Sequence, residues 1–382
     1  MSVTYRVSPR VSPRVSPRVS PRVSPRALAG ILVALVVSTP ISSTAVHAQR
    51  SPTTRRFHAD SFYIREWVRG GTKDPDLLVE PRAIAITDQV VVVLDAGTRE
   101  VHAFDVTSGA KRFVLKATGE GPGEFRQPVQ VATTARHVGV LDAATSRLTV
   151  YSDSGRFLWT TPVPDGPTVE ALCLLPRGRI RVKYLGATRA IALIDSSGKT
   201  LTRTSLPVAT ARQKAPSFAN SAYIADACAG DTMAVAPFFG GSWYSLRSNG
   251  ATKRFPYIEA GEEAVVTTKQ RRLERTTKHI TTQTTMTAAV SPIARGAMQR
   301  GDTVIIEAGA TKIHPHQLLD YYRASDGAYL YSRRLPFTPT ALAIAPNGRL
   351  FAASIGTETS LIVALSTTPL SPREIAKQKP RK

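Results

Sequence analysis

Acidic side chains are scarce in this chain. Its 382 residues hold 28 Asp and Glu against 50 Lys and Arg, a formal net charge of +22. Cysteine is nearly absent, with Cys173 and Cys228 alone. Long hydrophobic runs are missing too. The most apolar stretch, Ala27 to Val37, has 11 residues, where a helix needs about 20 to span a bilayer. Catalytic signatures are equally thin. No Ser sits in a nucleophile elbow, and no Cys–His pair suggests itself. Gly119-Glu120-Gly121-Pro122-Gly123 is glycine-rich, but it leads into Phe125-Arg126-Gln127-Pro128 rather than a helix. It therefore lacks the strand–loop–helix context of a phosphate cradle. Arg300-Gly301-Asp302 falls where a hairpin turn belongs.

Both ends of the chain are biased in composition. Val-Ser-Pro-Arg occurs five times from Val7 to Arg26, and Pro at every fourth position forbids a helix. A basic leader, the apolar run and Ala45-Val46-His47-Ala48 read as a secretory signal cut after Ala48. No Cys follows the apolar run, which argues against a lipid anchor. Residues 1–48 are assigned to this leader, and 369–382 to a basic disordered tail. Without the leader, 44 basic and 28 acidic side chains remain, a net of +16. Such a balance suits anionic partners, or is spread over the surface. No feature indicates specific nucleic-acid binding. An exported chain permits a disulfide, but a core of about 310 residues needs no staple. Buried free thiols are the expectation for Cys173 and Cys228.

What the chain has in abundance is one turn. Thr107-Ser108-Gly109, Asp153-Ser154-Gly155, Ser196-Ser197-Gly198, Ser248-Asn249-Gly250 and Ser325-Asp326-Gly327 each separate two short apolar runs. Small polar residues followed by Gly mark a β-hairpin, because Gly supplies the positive φ of the turn. Residues 67–104 align with 114–151 at a constant offset of 47, placing Leu94-Asp95-Ala96 on Leu141-Asp142-Ala143. Each unit reads as four strands, and six units can be traced. The sixth has no Gly turn and no fourth strand. A spare strand at residues 62–68 can supply it. Complementary ends imply a closed ring: an all-β, six-bladed β-propeller of four-stranded antiparallel blades over residues 57–368.

Gly119 to Pro128, then Val140-Leu141-Asp142-Ala143 and Arg147-Leu148-Thr149-Val150-Tyr151, resemble the NHL-type repeat. They also resemble bacterial exported six-bladed β-propeller proteins. The resemblance covers about 80–152 well and the other units loosely. It implies the fold, and a structural role for the recurrent Asp95 and Asp142. It implies little about activity, because such propellers include binding platforms, lyases and lactonases.

Inter-blade loops and the turns between second and third strands should share one face, the top. Arg82, Arg126, Arg147 and Arg189 are expected on its rim, with Phe239, Trp243, His314 and His316. Cations and exposed rings suit an anionic or glycan ligand. The reading is an exported, periplasmic or secreted monomer that binds rather than catalyses, without cofactor or metal. The alternatives are a lyase or lactonase using Ca or Zn, and a subunit of an envelope assembly. His314 and His316 could chelate, but a catalytic metal needs about three ligands. Glu80, Glu124 and Glu170 form no recognisable set. Residues 257–292 interrupt the repeat between blades four and five, and 262–280 are expected as a helical lid.

Overall fold

The computed structural model describes residues 2–7, 56, 63–71, 78–116, 119–184, 191–205, 224–229, 232–237, 241–247, 249–259, 266–275, 280–288, 294–309, 317–345, 347–356 and 360–367. They form a six-bladed β-propeller with almost no helix. Blade one comprises Pro81–Ile86, Val90–Asp95, Glu100–Asp105 and Lys111–Leu115. Blade two comprises Pro128–Thr133, His137–Asp142, Arg147–Ser152 and Phe157–Pro162. Blade three is Val169–Leu174, Ile180–Tyr184, Ile191–Ile194 and Thr200–Thr204. Blade four is Ile224–Ala229, Thr232–Pro237, Ser242–Arg247 and Thr252–Pro256. Blade five is Ala294–Arg300, Thr303–Ala308, Leu318–Arg323 and Tyr329–Arg334. Blade six is Ala341–Ile344, Leu350–Ile355 and Ser360–Thr367, completed by the N-terminal strand Tyr63–Gly70. That strand runs antiparallel to Ser360–Thr367, pairing Tyr63 with Thr367 and Gly70 with Leu361. The first strands of the blades contact one another around the axis.

The second strand of blade one explains the run Val90-Val91-Val92-Val93-Leu94. Alternate side chains point to opposite faces of a strand. Val90, Val92 and Leu94 pack with Val131, Val138 and Val140 of blade two. Val91 and Val93 pack with Trp67, Phe351 and Ile362 of blade six. Both faces are therefore core, and no polar alternation is possible. Six apolar clusters fill the six seams in this way. Among the described residues, the cluster between blades three and four comprises Ile191, Met233, Val235 and Leu246, with Cys228 and Tyr244 packed against it.

The glycine turns do more than reverse the chain. Gly109 (φ 68°) lies on the ring of Trp67, Gly155 (φ 82°) on that of Phe113, and Gly327 (φ 72°) on that of Phe255. Gly198 lies on Pro162. In each case the residue beneath belongs to the outer strand of the preceding blade. Gly250 has no atom of the described residues within 4 Å of where a Cβ would stand. It borders the seam between blades three and four. The outer strand that faces it across that seam, Thr200–Thr204, carries the exposed Leu201 and no aromatic ring.

That seam is bonded at its inner edge. Cys173 on the first strand of blade three and Cys228 on that of blade four form a disulfide, their Cα atoms 6.1 Å apart. This corrects the expectation of free thiols: the innermost strands of neighbouring blades bring the two cysteines within bonding distance.

The inserted segment also departs from expectation. Val266–Arg275 and Ile280–Ala288 form an antiparallel hairpin, not a helix, with Ser2–Val7 as a third strand. The β-branched threonines, among them Thr267, Thr268, Thr281, Thr282, Thr284 and Thr285, favour extended backbone and outweigh the amphipathic spacing.

One residue ahead of the closing strand anchors it elsewhere. The side chain of Arg56 is 6% exposed and donates to Asp320 at 2.8 Å, with Glu259 also in contact. Burial alone would lower its pKa. Hydrogen bonds and charge from Asp320 and Glu259 overcome this and hold it above its ordinary value. The N-terminal segment thus ties blade six to the junction of blades four and five.

Two stability measurements test these seams. Gly250→Ala should cost only the left-handed backbone penalty, about 1–2 kcal/mol. Gly327→Ala places a Cβ 2.1 Å from Phe255, and should add roughly 1–3 kcal/mol of overpacking in a urea melt. Replacing Cys173 and Cys228 together by Ala should lose about 2–4 kcal/mol. Dithiothreitol should bring the wild type to the same midpoint, and should not shift the double variant.

Candidate functional site

Each blade offers the axis the start of its first strand, and in four blades that start is bulged. The pairing skips one residue at Arg82 in blade one, Val129 in blade two, Glu170 in blade three and Arg295 in blade five. A bulge re-aims a side chain out of the regular ladder. Around the mouth of the channel this brings Arg82, Glu170 and Arg295 to a single cavity of about 430 Å³. Gln130 and Thr340 add uncharged polar groups.

Two further charges come from the second strands. In blades one and two the residues opposite Ala83 and Gln130 are Leu94 and Leu141. The equivalent positions of blades three and five hold Lys183, opposite Ala171, and Glu307, opposite Gly296. Lys183 lies 3.5 Å from Glu170, and Glu307 lies 3.7 Å from Arg295. The two pairs occupy the same repeat positions with their signs exchanged. Gly296 is needed for this, since a Cβ there would stand 2.8 Å from the Glu307 carboxylate.

Glu307 is 8% exposed, and its Oε1 has no hydrogen-bond donor among the described residues. Desolvation raises its pKa from 4.5 to about 7, against the opposing effect of Arg295. Near neutral pH Glu307 is therefore partly protonated.

The expected rim residues are distributed differently. Arg82 does line the cavity, and it also pairs with Glu80 at 2.6 Å. Arg126 and Arg147 come together, but on the loop beside it: Arg126 contacts the Glu120 carboxylate, and Arg147 donates to the Glu120 carbonyl at 3.0 Å. Trp243 is a correction. It is fully buried between blades four and five, its ring 4.7 Å from that of Phe255 and 5.6 Å from that of Tyr322. As the second residue of the strand Ser242–Arg247, paired with Phe255, it turns into the core. Arg189, Phe239, His314 and His316 lie outside the described residues.

The carboxylates considered for a metal also have other work. Glu80 binds Arg82, and Glu124 accepts from the Gly121 amide at 2.8 Å. Asp95 accepts from the amides of Val79, Glu80 and Gly97. Asp142 accepts from those of Arg126, Gln127 and Ala144. Their repeat-equivalent role is to fasten the loop entering each blade to the turn leaving the second strand. Among the described residues no three His, Cys, Asp or Glu side chains converge as a metal site.

Sequence reasoning missed Lys183, Arg295 and Glu307. The available signal was a charge in a second strand where the aligned repeats carry Leu.

Residues 44–185 match the family described as 6-bladed beta-propeller. No curated protein matches the chain. Among solved structures, a member of the duf4221 family from Bacteroides vulgatus is 8% identical, with 81% of this chain and 99% of that one covered at a TM-score of 0.49. A candidate exported protein from Bacteroides fragilis is 12% identical, covering 82% and 98% with a TM-score of 0.47. A catalytically inactive virginiamycin B lyase from Staphylococcus aureus is 11% identical, covering 81% and 90% with a TM-score of 0.45. At such identities an activity does not pass from one propeller to another.

Proposed function

We propose that this protein is an exported binding protein that takes a small polyhydroxylated anion, such as a sugar acid, at the mouth of its axial channel. The observation behind this reading is the charged cavity. Arg82, Lys183 and Arg295 outnumber Glu170 and Glu307, and Gln130 and Thr340 offer partners for hydroxyl groups. Guanidinium groups suit carboxylates through paired N–H donors. A volume of about 430 Å³ is within the range of small-ligand sites, roughly 300–1,000 Å³. The disulfide supports export, since such bonds persist in oxidising compartments.

A lyase reading has one observation in its favour. Glu307 is a buried carboxyl whose pKa lies near neutrality, the property an acid–base catalyst needs.

Glu307 also makes binding and stability depend on pH. Its folded-state pKa is raised, so the fold holds more protons than the unfolded chain between 4.5 and about 7. Stability should fall as pH rises through that window, by roughly 3 kcal/mol. Glu307→Gln should abolish that slope in urea melts. Protonation also removes a negative charge from the cavity. Glucuronate should therefore bind more tightly at pH 6 than at pH 8 in calorimetric titration, with glucose and inorganic phosphate weaker than either. Arg82→Gln should weaken glucuronate by about tenfold, the equivalent of one charged hydrogen bond. Equal binding of glucose would overturn the anionic reading. Recovery of an unsaturated product would favour the lyase.

A further inference from the structure

A second cavity lies at the opposite end of the first strands, under blades two and three. It is larger, about 800 Å³, and its chemistry differs. Val131, Leu172, Leu174 and Trp159 line it, and the Cys173–Cys228 disulfide forms part of its wall. No carboxylate is among the residues that line it. Its cationic lining groups are Arg136 and Arg177, with the His137 imidazole beside them.

These groups are exposed and held at the tips of ordered turns. The Thr134 hydroxyl accepts from the amides of Arg136 and His137, at 3.4 and 3.1 Å. Arg177 lies in the tight turn Pro176–Gly178, at a φ of 63° that is uncommon for a residue with a side chain. The turn is closed by the Leu175 amide donating to the Arg179 carbonyl at 2.8 Å. An arginine kept in left-handed backbone beside a glycine is a costly way to end a hairpin. Among the described residues, neither Arg136 nor Arg177 pairs with a carboxylate.

An apolar floor with unpaired cations on its rim matches one kind of occupant, an amphiphile with an anionic head. Burying an alkyl chain against Leu172, Leu174 and Trp159 supplies the attraction. The two guanidinium groups then meet a carboxylate that would otherwise be left at an apolar surface. We propose that this cavity is a second binding site, specific for a medium-chain aliphatic carboxylate. The site is separate from the channel mouth and does not depend on the sugar-acid reading.

Trp159 provides the test, because the other two tryptophans, Trp67 and Trp243, are buried in seams. Titrating the full chain with ω-bromododecanoate should quench Trp159 fluorescence saturably, and Trp159→Phe should abolish the quenching. Dodecanol, with the same chain and no charge, should compete at least about tenfold less well than dodecanoate. The double variant Arg136→Gln, Arg177→Gly should weaken dodecanoate about tenfold or more with an unchanged circular dichroism spectrum. Glycine at 177 keeps the left-handed turn. Absence of quenching, quenching that survives in Trp159→Phe, or equal competition by dodecanol would each overturn the proposal.

Discussion

No blade of this protein can bury its own apolar surface. Val91 and Val93 are covered only because blade six stands behind blade one, and Val92 only because blade two stands in front. Closure of the ring by Tyr63–Gly70 on Ser360–Thr367 is therefore the constraint on which the remaining structure depends. Without that strand, Trp67 leaves the seam between blades six and one, and Gly109 loses the ring it packs on. Arg56 extends the same logic by one contact. Its partner Asp320 is almost fully buried, and a buried carboxylate deprived of its cation is worth several kcal/mol of destabilisation. The N-terminal segment is thus held both by strand pairing and by charge.

The ring is not uniform. Among the described residues, the seam between blades three and four has four buried apolar residues and a glycine turn with no described atom beneath it. The disulfide lies at that seam. Its loop of 55 residues would restrict the unfolded chain by about 4 kcal/mol in the chain-entropy account, comparable to burying two or so large side chains. The covalent bond thus adds to whatever side-chain packing joins blades three and four.

Repetition made most of the fold legible. The five glycine turns and the missing fourth strand of the last unit follow from spacing, the structural role of Asp95 and Asp142 follows from the resemblance to the repeat, and the structure has each in its expected place. The helix expected within 262–280 failed for a local reason: threonine-rich segments hold extended backbone whatever their amphipathic spacing. Trp243 failed because ring size suggested a ligand platform where strand alternation placed a core residue. The site was hardest to read, because its members are exceptions to the repeat. Lys183 and Glu307 replace leucines, and Glu170 and Arg295 occupy bulges that spacing alone does not reveal.

Those exceptions occur where the fold tolerates them. The bulged residue of a first strand points out of the ladder, and the second-strand position opposite it faces the axis near the channel mouth. In blades one and two these positions include Leu94, Val129 and Leu141, which pack into seams, whereas in blades three and five they carry charges that pair with one another. A charge at Val92 or Ile306 would enter a seam and meet no partner, whereas Lys183 and Glu307, though buried, meet Glu170 and Arg295 at the wall of the cavity. The propeller thus separates two classes of position within the same strands. Seam positions are bound to apolar residues by closure of the ring. Axial positions are free to vary in sign, as the exchanged pairs of blades three and five show, and it is these that give the channel mouth its chemistry.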